Sequence, residues 1–141
     1  MIAVDTNILV FAHREELPQH KSALARITHL AEGDSPWGIP VFCIGEFVRV
    51  ITHPRLFDPA YSAEEACGAV DRILESPSLR ILYPGTGFVI HFQEAVREAN
   101  AVGNLVFDAQ IVAVCRESGV STLITQDRDF ARFHGFKTRP L

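Results

Sequence analysis

The alternation of strand-length apolar runs with helix-length segments is the feature that most constrains how this chain folds. Runs of strand length fall at residues 1–4, 80–83 and 120–125, and segments with a helical spacing of apolar residues separate them. Because strands that alternate with helices pair into parallel sheets, the sequence predicts an α/β fold. Its 141 residues fit a single domain over 1–141, an α/β/α sandwich with a central, mostly parallel sheet between helices.

The helices are predicted from their caps and apolar faces. Ser62 and Glu65 have the spacing of a capping box, and Gly33 and Gly119 follow the ends of two apolar-faced segments. Residues 34–38 are predicted to form a turn. The run 39–52 is apolar almost all the way round, and its 14 residues are too long for an ordinary strand, so a buried helix is predicted there with Pro40 in its first turn. The predicted helices cover residues 8–13, 18–32, 39–52, 62–74, from a Thr86 cap to near Gly103, and 105–118 after an Asn104 cap; a short helix follows Asp127 and an edge strand lies at 136–138.

Four acidic residues stand out by their positions in this pattern. Asp5 and Asp127 follow predicted strands, whereas Glu46 and Asp108 interrupt apolar helices. Ligands of parallel sheets bind beyond the carboxyl ends of the strands, so Asp5 and Asp127 are expected to face one another across one sheet edge. A carboxylate inside an apolar helix is costly unless it is paired or binds a metal, which makes Glu46 the hardest of the four to explain by structure alone.

Each acid also has a purely structural interpretation. Asp5 or its neighbour Asn7 can cap the first helix, and Asp127 can cap the last one. The positive end of a helix favours a carboxylate at position 108, and Glu46 can pair with Arg49 one turn on. Asp129 competes with Asp127 for the same role, and the pattern leaves that choice open.

Taken together, the acids favour a site for a hard divalent cation. Mg²⁺ and Mn²⁺ prefer carboxylate oxygens, and neither histidine nor cysteine accompanies the four acids as zinc would require. Clustered carboxylates raise one another's pKa unless a cation neutralises them. Acid-only metal sites serve mainly phosphoryl transfer and phosphodiester hydrolysis, so the sequence points to that chemistry.

The charge, cysteine content and first residues limit the alternatives. The net charge of −4 argues against a nucleic-acid binder, but 13 basic residues balance the 13 acids that remain once the four site acids are set aside. The three cysteines, among apolar residues and without a Cys-x-x-Cys motif, are predicted to be buried reduced thiols. We find neither a signal peptide nor a membrane-length apolar run, so a cytoplasmic location without a membrane is expected.

Four motifs carry a resemblance to a known family. They are Val4-Asp5-Thr6-Asn7, Ile44-Gly45-Glu46-Phe47, Val106-Phe107-Asp108-Ala109 and Thr125-Gln126-Asp127-Arg128-Asp129-Phe130, and they occur in the expected order over essentially the whole chain. In these motifs the sequence resembles PIN-domain ribonucleases, and within them the VapC-type toxins of toxin–antitoxin pairs. The stretch EFVRVITHPRLF from Glu46 and the Pro140-Leu141 ending also resemble a branch of these toxins.

The resemblance implies a function and a set of site residues. It implies a homodimeric endoribonuclease dependent on Mg²⁺ or Mn²⁺, which cuts RNA (often structured RNA such as tRNA) and is inhibited by the tail of a cognate antitoxin. By matching position, Asp5, Glu46, Asp108 and Asp127 are the catalytic and metal-binding acids, with Asn7, Thr125 and Asp129 in support. The sequence departs from the family at Gly45 and Gln110, where a small polar residue and a histidine are common.

Other functions stay open from the residues alone. A module of the same fold that binds RNA or protein without cleaving is one, and a phosphotransfer domain with Asp5 as nucleophile is another. The latter needs a lysine near Asp5, and the chain has only Lys21 and Lys137. The cations expected to contact an RNA backbone are Arg14, Arg49, Arg55 and Arg128.

Overall fold

A parallel sheet of five strands, flanked by six α-helices, forms the frame of a computed structural model that describes residues 1–141. All four strand pairings are parallel, which confirms the predicted α/β class. In chain order the elements are β1 (Ile2–Val4), α1 (Thr6–His13), α2 (His20–Glu32), β2 (Trp37–Pro40), α3 (Val41–Ile51), α4 (Ala63–Leu74), β3 (Leu79–Leu82), α5 (Phe88–Ala99), α6 (Leu105–Glu117), β4 (Thr122–Ile124), a 3₁₀ helix (Arg128–Arg132) and β5 (Thr138–Arg139).

The order of the strands makes the two strands that precede Asp5 and Asp127 neighbours in the sheet. Across the sheet the order is β3-β2-β1-β4-β5: β2 and β3 are added on one side of β1, and β4 and β5 on the other. The order in which strands are added therefore reverses at β1, and the carboxyl ends of β1 and β4 are neighbours. The Asp5 amide continues this pairing by donating to the Ile124 carbonyl at 3.0 Å. A crevice beyond such a reversal point is where open α/β sheets bind ligands.

The second strand was not expected from the sequence. Residues 37–40 pair with β1 on one side and β3 on the other, whereas the pattern predicts a turn over 34–38 and a helix from Ile39. The segment Trp-Gly-Ile-Pro is short and contains the two residues that usually mark turns. Its neighbours decide the outcome: a Cβ on Gly38 would lie 2.9 Å from the Leu82 side chain, so glycine allows β3 to approach. Pro40 ends the strand and α3 begins at Val41.

The third helix is less buried than its composition indicates. Only Cys43, Phe47 and Ile51 of α3 are buried, and the residues between them are partly or fully exposed. The prediction of an all-round buried helix is therefore wrong, because a helix on the flank of a sheet has only one face to pack. In contrast, α6 buries Ala109 and an unbroken run from residue 111 to 115, as expected.

The other predicted helices form with shifted ends, and one of three predicted side-chain caps is confirmed. Ser62 and Glu65 form the predicted capping box of α4. Neither Thr86 nor Asn104 caps a helix through its side chain: α5 starts one residue later, after Gly87, and Asn104 precedes α6 without a capping hydrogen bond. α5 ends at Ala99 with Asn100 in the left-handed conformation, and the edge strand lies two residues beyond its predicted start.

The cysteines are free thiols in two different environments. Cys43 and Cys115 are buried in the core, as predicted, but Cys67 is exposed on α4. Cys67 lies on the solvent face because α4 packs through Ala66, Ala69 and Ile73. None of the helices, the longest of which have 13 residues, could span a lipid bilayer.

Arg14, expected as an RNA contact, is instead a buried residue that anchors the segment after α3. Its guanidinium donates to the Pro59 carbonyl at 2.9 Å and pairs with Glu16, while its charged carbon lies 4.4 Å from the Phe57 ring centre and 5.4 Å from that of Tyr61. Cation–π contacts and a charge-assisted hydrogen bond satisfy the buried cation. Arg14 therefore ties residues 57–61 to the end of α1.

Replacing Arg14 by methionine is expected to lower the free energy of unfolding by about 2–3 kcal/mol, because the hydrogen bond and both cation–π contacts are lost. Urea unfolding followed by circular dichroism measures the change. Glu16→Gln is the matched control, since it removes the ion pair and leaves the buried contacts in place. An Arg14→Met protein no less stable than Glu16→Gln would show that Arg14 does not anchor this segment.

Candidate metal centre

Asp5 is held at the carboxyl end of β1 by hydrogen bonds to both of its oxygens. The Thr6 amide donates to Oδ1 at 2.7 Å, so Asp5 is the cap of α1 as the structural interpretation proposed. Thr125 Oγ1 and Asn7 Nδ2 donate to Oδ2 at 2.7 and 2.8 Å. The side chain is 4% exposed and its position is set by three donors from two adjacent strand ends.

Thr125 connects Asp5 to the last helix. Besides donating to Asp5, its hydroxyl oxygen accepts from Asn7 Nδ2 at 3.1 Å and from the Asp127 amide at 3.0 Å. The Gln126 amide donates to Asn7 Oδ1 at 3.2 Å, which closes the network. Asn7 and Thr125, expected as supporting residues, thus fix the loop after β4 relative to β1.

Three aspartates gather next to this network. One carboxylate oxygen from each of Asp108, Asp127 and Asp129 lies within 4.8 Å of the other two, a spacing at which one cation can bridge them. Asp127 caps the 3₁₀ helix by accepting from the Asp129 amide at 2.8 Å, so capping does not remove it from the cluster. Both candidates for the fourth acid are therefore present at the site.

Glu46 faces the same centre but is not buried. Its side chain is 42% exposed, so the cost of a carboxylate in the core, which made this residue stand out in sequence, does not apply. Thr6 Oγ1 donates to Oε2 at 3.0 Å, and Arg49 lies 3.6 Å from Oε1. The pair with Arg49 at i+3 does form, as the structural alternative held, and it leaves Glu46 on the wall of a groove shared with the aspartates.

Burial and repulsion between neighbouring charges raise the pKa values of two of the acids, Asp5 and Asp108. Burial raises the pKa of Asp5 to about 6, and the charges of Glu46 and Asp127 add to the rise, while hydrogen bonds from Thr125 and Thr6 oppose it. Burial also raises the pKa of Asp108 to about 7, with contributions from Asp127, Asp5, Asp129 and Glu46. A positive partner beside Asp5 and Asp108 would favour their ionised forms and offset both effects.

Two grooves meet at the acids. The α3–α6 groove, about 650 Å³, is lined by Gly45, Arg49, Asn104, Phe107 and Gln110 among others. The α1–α3 groove, about 460 Å³, is lined by Asp5, Asn7 and a largely apolar wall that includes Val10, Leu56 and Phe57. Glu46, Asp108 and Asp127 line both. The acids therefore sit at the junction of two open grooves, where an extended chain can reach them.

The donor set fits a hard divalent cation. It offers only carboxylate oxygens, with threonine and asparagine in the surrounding network and no histidine lining either groove. The Cys43 sulfur lies 3.7 Å from Asp5 Oδ1, but burial raises the pKa of this thiol well above its ordinary value, so it is no thiolate ligand. Oxygen-only sites of this kind suit Mg²⁺ and Mn²⁺ and not Zn²⁺.

Comparison with known proteins gives the family. The sequence model of the PIN domain matches residues 2–135. The chain belongs to the PIN-domain family. Ribonuclease VapC43 of Mycobacterium tuberculosis is 35% identical over 139 residues, which cover 99% of this chain and 94% of that protein. Ribonuclease VapC25 of the same species is 29% identical over 133 residues, covering 94% of this chain and 93% of its own length. These relatives place the chain in the VapC-type branch, as the four motifs indicated.

Solved structures of PIN-domain toxins share the fold. VapBC2 of Rickettsia felis, solved bound to a DNA fragment from its promoter, has a chain that matches with a TM-score of 0.73 at 19% identity and covers 99% of this chain and 98% of its own. VapC20 of Mycobacterium tuberculosis, described as a toxin that cleaves the sarcin–ricin loop, matches with a TM-score of 0.69 at 20% identity over 96% of both chains. At these identities the likeness concerns the fold alone.

The two departures from the family pattern lie together in this PIN domain. Gly45 and Gln110 both line the α3–α6 groove, and a Cβ added at Gly45 would meet nothing within 4 Å. They change the wall of the groove and leave every acid in place. No lysine lines either groove, so the lysine partner that a phosphotransfer domain would need beside Asp5 is missing there.

For two residues, Asp129 and Arg49, the structure gives information that the sequence motifs do not. Asp129 was expected as a supporting residue and as an alternative to Asp127, and the two occur together. The two residues are close because Asp127 caps the 3₁₀ helix and accepts a hydrogen bond from the Asp129 amide. Arg49 lines the α3–α6 groove, whereas the other exposed candidates, Arg55 and Arg128, line neither groove.

Proposed function

We propose that this chain is an endoribonuclease dependent on Mg²⁺ or Mn²⁺ and the toxin of a toxin–antitoxin pair that blocks translation. The observation that carries the proposal is the convergence of Asp5, Glu46, Asp108, Asp127 and Asp129 on one sheet edge at the junction of two open grooves. Relatives described as ribonucleases, 35% identical over nearly the full chain, support the activity. The retention of all the acids disfavours a module that only binds RNA.

In this proposal the carboxylates of Asp5, Glu46, Asp108 and Asp127 would hold the metal, and Asp129, within 4.8 Å of Asp108 and Asp127, would complete the site. A bound divalent cation supplies a Lewis acid for the phosphate and lowers the pKa of water near it. The network of Thr125 and Asn7 keeps the Asp5 carboxylate in one orientation. The products we expect carry a 5′-phosphate and a 3′-hydroxyl: water, and not the ribose 2′-hydroxyl, would attack the phosphorus, and the 3′-oxygen would leave as the bond between it and phosphorus breaks.

The partners follow from the same proposal. Several matching structures are described as VapBC proteins, including one from Haemophilus influenzae, which supports an antitoxin partner. We expect the tail of that antitoxin to lie in the grooves. A homodimer is supported by apolar side chains exposed on and around α5: Tyr83, Val89, Ile90 and Val102. Covering an apolar surface of this kind is a common reason for association. Structured RNAs are the expected substrates, with tRNA and the sarcin–ricin loop as the first two to test.

The proposal is tested by incubating the purified chain with total bacterial RNA in Mg²⁺, in Mn²⁺ and in EDTA. Discrete fragments should form only with a metal, and sequencing of their ends should map the cut sites and find 5′-phosphates. Fragments that form equally in EDTA would contradict the role of the metal. If no RNA is cut under any condition, while one RNA is bound tightly, the chain is a binding module instead.

Replacing Thr125 by valine is expected to lower kcat/KM for the mapped RNA by about 10- to 100-fold, because the second shell of a metal site sets ligand orientation. The Thr125 hydroxyl lowers the pKa of Asp5, so its loss should move the acidic limb of the pH–rate profile to higher pH. Thr125→Ser keeps the hydroxyl and should restore the profile. An unchanged acidic limb in Thr125→Val would show that Thr125 does not act through Asp5.

A further inference from the structure

The two grooves that meet at the acids differ in charge and polarity. Their walls together hold five carboxylates and a single cation, Arg49 of α3, which lines the α3–α6 groove. That groove also carries the amides of Asn104 and Gln110 and the Phe107 ring, which is 61% exposed. Half of the residues that line the other groove are apolar, and that groove has no cation.

An RNA strand that reaches the acids must overcome their negative charge. Phosphates are attracted by Arg and Lys, and such contacts supply most of the affinity that does not depend on sequence. A metal neutralises part of the charge at the cutting point, but the phosphates on either side of that point also need a partner. Arg49 is the one cationic side chain in the walls that can meet them.

Arg49 is also weakly held and free to move. Its side chain is 63% exposed, and its one ionic contact is with Glu46 Oε1 at 3.6 Å, beyond hydrogen-bond length. Thr6 Oγ1 already holds the other oxygen of Glu46, so Glu46 keeps its place without Arg49. An exposed pair at this distance contributes little to stability, and releasing the guanidinium costs little.

We infer that the α3–α6 groove is the path of the RNA strand and that Arg49 binds a backbone phosphate next to the cut site, exchanging its contact with Glu46 for that phosphate. The planar guanidinium offers two parallel donors to phosphate oxygens, a geometry that lysine lacks. The exposed Phe107 ring in the same groove offers a face on which a base can stack. This inference rests on the proposed ribonuclease function.

The test is the salt dependence of cleavage of a fluorescent RNA oligonucleotide that spans a cut site mapped in total bacterial RNA. Arg49→Gln should lower kcat/KM by about 10- to 100-fold at low salt, the effect of losing a charge-assisted hydrogen bond. It should also make the fall of log kcat/KM with log [KCl] shallower by about 0.7, the amount expected for one phosphate contact on a single strand. Arg49→Lys should keep the salt slope and recover only part of the rate.

The matched control is Arg97→Gln, which removes an exposed arginine of α5 that lines neither groove. It should match the unmodified protein in rate and salt slope. An Arg49→Gln protein with unchanged kcat/KM and slope would overturn the inference. A lower rate with an unchanged slope and weaker Mn²⁺ binding by calorimetry would also overturn it, since Arg49 would then act by positioning Glu46. If the unmodified protein cuts no RNA, it is the proposed function that fails, and the inference falls with it.

Discussion

Replacing Asp5 by asparagine is expected to lower the rate of RNA cleavage about a thousandfold or more. Asp5 is the most buried of the acids, and three hydrogen bonds hold its carboxylate in the wall of the α1–α3 groove. A metal that polarises a phosphate contributes several kcal/mol to transition-state stabilisation, and losing about 4 kcal/mol corresponds to about a thousandfold in rate. Asparagine is nearly the same size, so the change removes a charge without leaving a cavity.

The measurement is single-turnover cleavage of the mapped RNA in Mn²⁺ by Asp5→Asn beside Asp71→Asn. The control makes the same chemical change on the exposed surface of α4, away from both grooves. Circular dichroism should show that both variants are folded, and calorimetry should show weaker Mn²⁺ binding in Asp5→Asn only. Equal cutting by Asp5→Asn and the unmodified protein would refute the assignment of Asp5 to the metal centre.

In the protein without bound metal, the free energy of unfolding is expected to fall as the pH rises from about 4 to above 7. The pKa of Asp5 is raised from 3.8 to about 6 and that of Asp108 to about 7, so between these values the folded state binds more protons than the unfolded chain. Stability therefore falls as pH rises through this window. For Asp5 the shift corresponds to a loss of the order of 3 kcal/mol.

A bound divalent cation should reverse that loss, because it stabilises the ionised carboxylates. A ligand at about 100 times its Kd adds about 2.7 kcal/mol to the free energy of unfolding. For a chain of this size, that raises the Tm by roughly 8 °C. Thermal unfolding at pH 7.5 should show this shift when EDTA is replaced by Mn²⁺, and at pH 5 the shift should be much smaller. A Tm at pH 7.5 that does not respond to Mn²⁺ or Mg²⁺ would argue against a metal at this centre.

His13 contributes to the pH dependence with the opposite sign and must be separated from the acids. Burial lowers the pKa of this histidine below its ordinary value of 6.5, so its contribution to stability is present above that pH and lost as the pH falls. Asp5→Asn keeps His13 and removes the Asp5 contribution. The difference between the variant and the unmodified protein in EDTA therefore reports on Asp5 and on its effect on Asp108, separately from His13. Asp71→Asn should behave like the unmodified protein.

Local chemistry explains what the sequence predicts correctly. Asp5 and Asp127 follow strand-length apolar runs, and parallel strands present their carboxyl ends at one edge, so their placement at the same site follows from pattern alone. The capping box of Ser62 and Glu65 is likewise determined within four residues. The four motifs then indicate the PIN-domain family, which the match over residues 2–135 confirms.

Contacts between distant segments explain the features that the sequence does not predict. β2 contains a glycine and a proline, and it is a strand only because β1 and β3 pair with it from both sides. Arg14 is buried because residues 57–61 fold over it, and Glu46 is half exposed because α3 packs on the sheet through one face only. None of these arrangements has a signal within a few residues of the position concerned.

The sequence by itself therefore determined the α/β class and the family and predicted four site acids, because strand ends, caps and motifs are short-range features. Only the tertiary structure decided how the acids are arranged. It brought Asp129 beside Asp108 and Asp127, joined Thr125 to Asp5 across β1 and β4, and left Arg49 as the one cation on the groove walls. The physical reason is that these distances depend on which strands are neighbours and which helix faces turn outward.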